Sequence, residues 1–292
     1  MKTQKLSLFS IQKTVKPIYD KILKSPEGLA SVEIITSLEK SWRDKKAFSP
    51  LPKADKKSWK QANLKLWGSY TIYDHIMDGG ASLAELPIAN LLLFESAKVL
   101  GGKSKLVDKA FLIMEIANQT EFSRVSELKK NPNYWQTLDE DSLLKKGHQK
   151  SLGLYISVFL FLENRDINST EQKKFWDFLV LFLNCRQLAD DLYDWHDDLK
   201  NNIPTAVTVS LMKKFKNKKD NLSDLEIEIF QNIYPHFHNY LIETLALAIT
   251  KAKKISVLEK NNFLVSWAKK SLQEEEKRWQ DYQKLLVTTL KL

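Results

Sequence analysis

The chain has 292 residues, enough to bury one large hydrophobic core or two smaller ones. It contains only 8 glycines and 8 prolines, and segments with strand-like alternation are scarce, so we predict an all-α protein. The single cysteine, Cys185, excludes an internal disulfide and fits a reducing compartment.

Apolar runs and charge bear on the location and partners of the protein. The longest apolar run, residues 152–162, is too short to span a bilayer, and the basic start of the chain has too short an apolar run for a signal peptide. The formal net charge is +9, but its densest lysine clusters, 45–60 and 213–219, fall in predicted loops, and no aromatic-interleaved basic motif of the RNA-binding type occurs. We therefore expect a soluble cytoplasmic protein with no nucleic-acid partner. The charge leaves open an attraction for an anionic substrate or a transient association with a membrane surface.

Apolar residues at helical spacing predict ten helices in chain order. Their approximate bounds are 8–24, 28–43, 57–78, 84–101, 105–129, 140–163, 170–200, 204–214, 222–250 and 256–287. The polar connections between them are too short to be convincing domain linkers. We therefore predict one helical bundle over residues 1–292, in which the helices 57–78 and 170–200 line a central cleft.

The predicted helix 57–78 ends with an acidic pair. Asp74 and Asp78 are four residues apart and so lie on one face of the helix. Tyr70 and Tyr73 precede them by about one turn, and two glycines then end the helix. This end of the helix is a candidate metal site with an aromatic border.

The predicted helix 170–200 carries a longer acidic motif. Asp190, Asp194 and Asp198 are spaced by four residues and stack along one face. Like charges at this spacing repel, so a hard divalent cation is expected over them. The apolar run 175–185 predicts that this face turns toward the interior, where unpaired carboxylates are costly.

The two acidic helices together suggest a ligand. Mg²⁺ binds one or two protein carboxylates and completes its shell with substrate phosphate oxygens. Two acidic pairs that faced each other across a cleft would therefore suit a metal-bound diphosphate. The nearby aromatic residues Phe159, Phe178 and Phe182 either line such a cleft or simply fill the core.

The second acidic motif also resembles a known pattern. Gln187-x-x-Asp190-Asp191-x-x-Asp194 resembles the second aspartate-rich motif of class I isoprenoid synthases, and Asp198 extends the resemblance to terpene cyclases and to squalene and phytoene synthases. The resemblance implies that these aspartates bind Mg²⁺, or Mn²⁺ in its place, and that Gln187 contacts the substrate. For Asp191, direct metal contact and support of its neighbours are both open.

The first acidic motif is similar to a second pattern of the same family. Asp74-His75-x-x-Asp78 resembles its DDxxD motif with histidine at the second position, or the DxxxD form found in squalene and phytoene synthases. The resemblance makes Asp74 and Asp78 metal ligands. His75 is expected to bond to a neighbouring carboxylate, because Mg²⁺ prefers oxygen ligands.

Two cations complete the implied site. Lys150-Ser151 resembles the Lys-Thr pair that prenyltransferases place on the substrate diphosphate. Arg186 either shares the charge that develops on the leaving oxygens or pairs with Asp190, four residues later. In the C-terminal region, Arg278 and Tyr282, four residues apart, partly resemble a diphosphate-binding Arg-Tyr pair, although an amphipathic helix with internal ion pairs is the preferred interpretation.

The resemblance implies a Mg²⁺-dependent enzyme that ionises an allylic prenyl diphosphate and forms a terpene. Its aromatic wall would include Tyr70, Tyr73, Phe159 and Phe182. The basic segments with which chain-elongating members hold isopentenyl diphosphate are missing. Head-to-head prenyl transfer therefore remains the first alternative, ahead of chain elongation and of a non-catalytic prenyl-diphosphate-binding protein. Helical relatives are often dimers, so a homodimer is also open.

Overall fold

The protein is all-helical in the part of the chain that its structure, a computed structural model, describes. This part comprises residues 36, 53–77, 82–102, 104–163, 167–215, 222–255 and 263–290, and it contains no strand. The all-α prediction is thereby confirmed. Apart from Thr36, the helices predicted over 8–24 and 28–43 lie outside the described residues.

Eleven α-helices follow one another in the described ranges. They are α1 (Lys53–Met77), α2 (Leu86–Leu100), α3 (Lys105–Lys130), α4 (Glu140–Lys146), α5 (His148–Ser151), α6 (Ile156–Glu163), α7 (Ser169–Asn201), α8 (Ala206–Lys214), α9 (Leu222–Glu228), α10 (Tyr234–Ala252) and α11 (Phe263–Leu290). Short 3₁₀ segments occur at Leu83–Glu85, Pro132–Thr137 and Leu152–Tyr155, and a π-helical turn at Ile229–Ile233. None of these helices combines the length and apolar character needed to cross a membrane.

The helix predicted over 140–163 is interrupted at two glycines. A Cβ atom at Gly147 would lie 3.2 Å from the Cβ of Gln187, and one at Gly153 would lie 2.9 Å from Cε of Met114. Both glycines therefore sit where another helix approaches closely, and glycine is also a poor helix former. The chain accordingly forms α4, α5, a 3₁₀ segment and α6 in place of one helix.

The helix predicted over 222–250 is interrupted by a wider turn. The π-helical turn Ile229–Ile233 comes immediately before α10, which has Pro235 in its first turn. Proline has no N–H to donate to the preceding turn, so the regular hydrogen-bond pattern cannot run through this point.

The chain divides into two compact units. Among the described residues, the first unit takes residues 53–115 and 152–167, and the second takes 116–151 and 168–290, with the gaps given above. The single bundle expected over the whole chain stays a prediction.

The first unit is built on the packing of α1 against α2. Ile72 of α1 forms an apolar cluster with Ile88, Ala89 and Leu92 of α2. The Ser69 hydroxyl donates to the Ala89 carbonyl at 2.8 Å, which a small residue on each helix makes possible. This packing fixes the end of α1 that carries the first acidic motif.

The second unit is built around α7. This 33-residue helix begins at the Asn168 side chain, which accepts from the Glu171 N–H, and ends at Asn202, whose left-handed backbone (φ 61°) lets its N–H reach the carbonyl of Asp198. The helices α5, α8 and α10 pack against α7, and α11 packs against α10. The second acidic motif therefore lies on the last third of a well-anchored helix.

Candidate functional site

The second acidic motif faces solvent more than the sequence predicted. Asp190 and Asp194 are exposed, Asp198 is half-buried, and Asp191 is the buried carboxylate of the group. The expectation of a buried acidic stripe was therefore wrong for Asp190 and Asp194. Leu188, Asp191 and Leu192 form the buried side of α7 at this point. The rotation of the helix therefore turns Asp190 and Asp194 toward solvent.

Asp191 is the centre of a polar group in the second unit. The Gln187 side-chain amide donates to Asp191 Oδ1 at 2.9 Å. Burial raises the pKa of Asp191 to about 7, the Gln187 hydrogen bond and the nearby Lys150 ammonium oppose this rise, and Asp190 and Glu121 add to it. Three of the predicted site residues, Lys150, Gln187 and Asp191, thus come together here.

Lys150 already has a carboxylate partner. Its ammonium forms an ion pair with Glu121 of α3, and only 28% of the Lys150 side chain and 13% of the Glu121 side chain are exposed. Sequence reasoning missed Glu121, since nothing in the local pattern of α3 indicates a partner 29 residues further along the chain. The Lys150 ammonium, which was predicted to bind the diphosphate, is therefore already paired with the Glu121 carboxylate.

Asn184 fixes the α4–α5 segment on α7. Its amide donates to the Lys145 carbonyl at 3.2 Å, and its Oδ1 accepts from the backbone N–H of His148 at 2.7 Å. Since Nδ1 of His148 lies 3.0 Å from the same oxygen, Nδ1 carries the proton of the neutral ring. Burial lowers the pKa of His148, so the imidazole is neutral near pH 7.

Sequence reasoning also missed Asn184, although a signal was available. Asn184 is a polar residue within an apolar run, and it precedes Gln187 by three residues and Asp191 by seven. These intervals place all three on one helical face. That polar face, rather than the Asp190–Asp194 stripe, is the one that α7 presents to the α4–α5 segment.

The first acidic motif is only partly described. Asp74 and His75 are exposed at the end of α1, and Asp78 lies outside the described residues. Tyr70 is buried, Tyr73 is half-buried, and their rings meet edge to face at 5.9 Å. Burial and the carboxylate of Glu115 raise the pKa of Tyr70, so its phenol stays protonated.

Tyr73 and Phe159 belong to the packing of the first unit. The Tyr73 hydroxyl donates to Asn90 Oδ1 at 2.6 Å, and the Tyr73 ring packs against the apolar cluster of α1 and α2. Phe159 of α6 is fully buried. These contacts are compatible with a core role, and the proposed lining of a substrate cavity stays a prediction.

Phe182 and Arg186 of α7 share a partner on α11. The Phe182 ring stacks on Phe178 at a centroid distance of 5.9 Å and meets Trp267 edge to face at 5.5 Å. The Arg186 guanidinium lies over the Trp267 ring, 5.1 Å from its centroid. Burial raises the pKa of Glu275, and the nearby Arg278 and Arg186 guanidiniums oppose this rise.

Arg278 forms an ion pair within α11. Its guanidinium donates to Glu275 at 2.6 Å, while the Tyr282 ring packs against Tyr234 at 4.7 Å and against Trp279 at 5.3 Å. The ion pair within the helix agrees with the interpretation that the sequence favoured, and the aromatic packing adds to it.

Divalent-metal binding is chemically compatible with the exposed side of α7. Asp190 and Asp194 present carboxylate oxygens one turn apart, and Mg²⁺ needs only one or two such ligands together with water or phosphate oxygens. Within the described ranges, no three His, Cys, Asp or Glu side chains form a metal-binding group by themselves. An ion held here would therefore take part of its coordination from a ligand.

Comparison with known protein families and with curated proteins finds no significant match to this chain.

The unusual protonation of Asp191 predicts a pH effect on stability. In metal-free protein the folded chain keeps a proton on Asp191 up to about pH 7, whereas the unfolded chain loses it near 3.8. Raising the pH through this window therefore destabilises the fold, by at most about 4 kcal/mol. Asp191→Asn should remove this contribution, because an amide does not titrate.

Urea unfolding at pH 5 and pH 8 in the presence of EDTA measures the effect. The loss of unfolding free energy between these pH values should be smaller in Asp191→Asn than in the wild type. Asp197→Asn, at an exposed position on the same helix, should keep the wild-type pH dependence. An equal pH dependence in Asp191→Asn and in the wild type would contradict the assignment.

Proposed function

We propose that this protein is a Mg²⁺-dependent class I isoprenoid synthase with the corresponding helical fold. It would ionise an allylic prenyl diphosphate, release diphosphate and form a terpene product. The observation that carries the proposal is the group around Asp191. Lys150 and Gln187, both predicted substrate contacts, act on this carboxylate, and the exposed Asp190 and Asp194 lie on the same segment of α7.

The roles of the residues follow from their charge. Asp74, Asp190 and Asp194 are proposed metal ligands, since each is an exposed carboxylate on a well-formed helix. Bound Mg²⁺ would supply the positive charge that neutralises the leaving diphosphate. The Lys150 ammonium would bind the diphosphate oxygens directly, and Gln187 would orient Asp191 through its amide.

The aromatic residues have a separate role in this proposal. An allylic cation must be kept from water, and the faces of aromatic rings stabilise a cation in a dry site. Tyr70 is proposed for such a wall because its ring is aromatic and its phenol carries no charge near pH 7, and burial raises its pKa even further above the working range.

A substrate panel tests the proposal. Prenyl diphosphates with 10, 15 and 20 carbons, the chain lengths of the common allylic substrates, are incubated with Mg²⁺ in the presence and absence of isopentenyl diphosphate. We expect inorganic diphosphate to be released without isopentenyl diphosphate, and EDTA to stop the release. The mass of the extracted product then separates cyclisation from head-to-head condensation. Release only with isopentenyl diphosphate would identify a chain-elongating enzyme, and no release from any substrate would contradict the proposed activity.

A further inference from the structure

We propose that Glu121 holds the Lys150 ammonium in the resting protein and is the group that an incoming diphosphate must displace. The inference rests on the proposed function, because it takes Lys150 as a diphosphate contact. It assigns Glu121 a role as a positioning residue that sets the affinity for the anion.

The first observation is the contact itself. Glu121 of α3 and Lys150 of α5 form an ion pair in which both side chains are largely buried. In such surroundings water screens the pair poorly, and removal of one partner leaves the other charge uncompensated. Lys150 is therefore not a freely moving surface lysine: its ammonium is held in one place by a carboxylate.

The second observation is the balance of charge around Lys150. Glu121 and Asp191 are both close enough for their charges to interact, and Lys150 acts on Asp191 with the opposite sign. The Lys150 ammonium is therefore paired with the Glu121 carboxylate, and the acidic side chains of Asp190 and Asp191 belong to the same group. This arrangement satisfies the charge of Lys150 before any ligand arrives.

The Glu121–Lys150 ion pair opposes the binding of an anion at Lys150. A diphosphate that approaches Lys150 must weaken the Glu121 contact, and the Glu121 carboxylate then stands near an incoming negative charge. Both effects oppose anion binding. A metal-bound diphosphate is opposed less than a simple anion, because its cation offsets part of the repulsion from Glu121. Glu121 would thus select against simple anions and keep the site closed to them.

Glu121→Gln removes the charge of this side chain and preserves its shape. Calorimetric titration with inorganic diphosphate in Mg²⁺ should show about tenfold tighter binding to Glu121→Gln than to the wild type. The gain should disappear when Lys150→Met is combined with Glu121→Gln, since the released ammonium is then missing. A structural defect would weaken binding, so a gain in affinity distinguishes the proposed role from simple damage.

Glu127→Gln is the matched control. Glu127 lies on the same helix and pairs with Lys130, but 48% of its side chain is exposed. Its replacement should leave diphosphate affinity unchanged. Glu121→Asp, which keeps the charge but shortens its reach, provides a second variant and should give a smaller gain.

The outcomes separate this inference from the proposed function. Equal or weaker binding by Glu121→Gln, a gain that persists without Lys150, or no diphosphate binding by any variant would overturn the role of Glu121. Turnover of prenyl diphosphates is measured independently. Tighter binding by Glu121→Gln with no turnover of any substrate would support the role of Glu121 and contradict the isoprenoid synthase activity.

Discussion

Asp190→Asn is expected to reduce Mg²⁺-dependent diphosphate release by at least about 100-fold. Asparagine has nearly the same shape as aspartate but lacks the charge with which a hard cation is held. Because Asp190 is exposed on α7, the substitution should leave the helical circular-dichroism signal and the thermal midpoint close to those of the wild type. The measurement is initial diphosphate release at saturating Mg²⁺, repeated over a Mg²⁺ titration.

Asp177→Asn provides the control for this experiment. Asp177 is on a different face of the same helix, thirteen residues earlier, and 40% of its side chain is exposed. It carries the same charge but is not part of the proposed metal site, so its replacement should leave diphosphate release within about twofold of the wild type. Equal losses in Asp190→Asn and Asp177→Asn would mean that the general negative charge of α7, rather than a metal site, supports activity.

Replacing Asp190 and Asp194 together by asparagine tests whether they bind the same ion. If Asp190 and Asp194 hold the same Mg²⁺, the variant that lacks both carboxylates should be little worse than either single variant, because residues that act as a unit are not additive. Independent sites would instead give losses that multiply. Normal turnover in both single variants would remove Asp190 and Asp194 from the proposed mechanism.

The helical pattern could be predicted from sequence because it depends on local spacing. The helix predicted over 105–129 occupies Lys105–Lys130, and that predicted over 170–200 occupies Ser169–Asn201. The breaks at Gly147 and Gly153 could not be placed in the same way. They reflect close approach to other segments of the chain, which a local pattern does not contain.

In the candidate site, too, the sequence predicts what depends on local spacing but not what depends on packing between distant segments. The spacing of Asp190, Asp191 and Asp194 gives their relative angles on a helix, but only packing decides which of them turns inward. The apolar run before the motif led to the prediction that Asp190 and Asp194 are buried, whereas Asp191 is the buried aspartate. Such a run indicates that part of the helix is buried but does not give the rotation of its last turns. Glu121 was missed for a related reason: its contact with Lys150 joins two helices, and neither sequence segment predicts it.

Of the substitutions proposed above, Phe182→Ala is expected to lower the free energy of unfolding most. The Phe182 ring is fully buried and contacts Phe178 and Trp267. Truncating it to alanine should lower the free energy of unfolding by about 3–5 kcal/mol, since the transfer energy is lost and a cavity remains. Urea unfolding measures the change, and Phe122→Ala, at an exposed position on α3, should cost less than about 1 kcal/mol.

The size of this loss distinguishes the two roles that Phe182 could have. A ring packed on all sides loses both its contacts and the transfer energy, whereas a ring that borders a ligand cavity already lacks partner atoms on one side and loses less. A loss below about 1 kcal/mol together with a changed product would therefore place Phe182 on the wall of a substrate cavity. A loss of about 3–5 kcal/mol would make it a core residue that supports Trp267, and through that ring the position of Arg186.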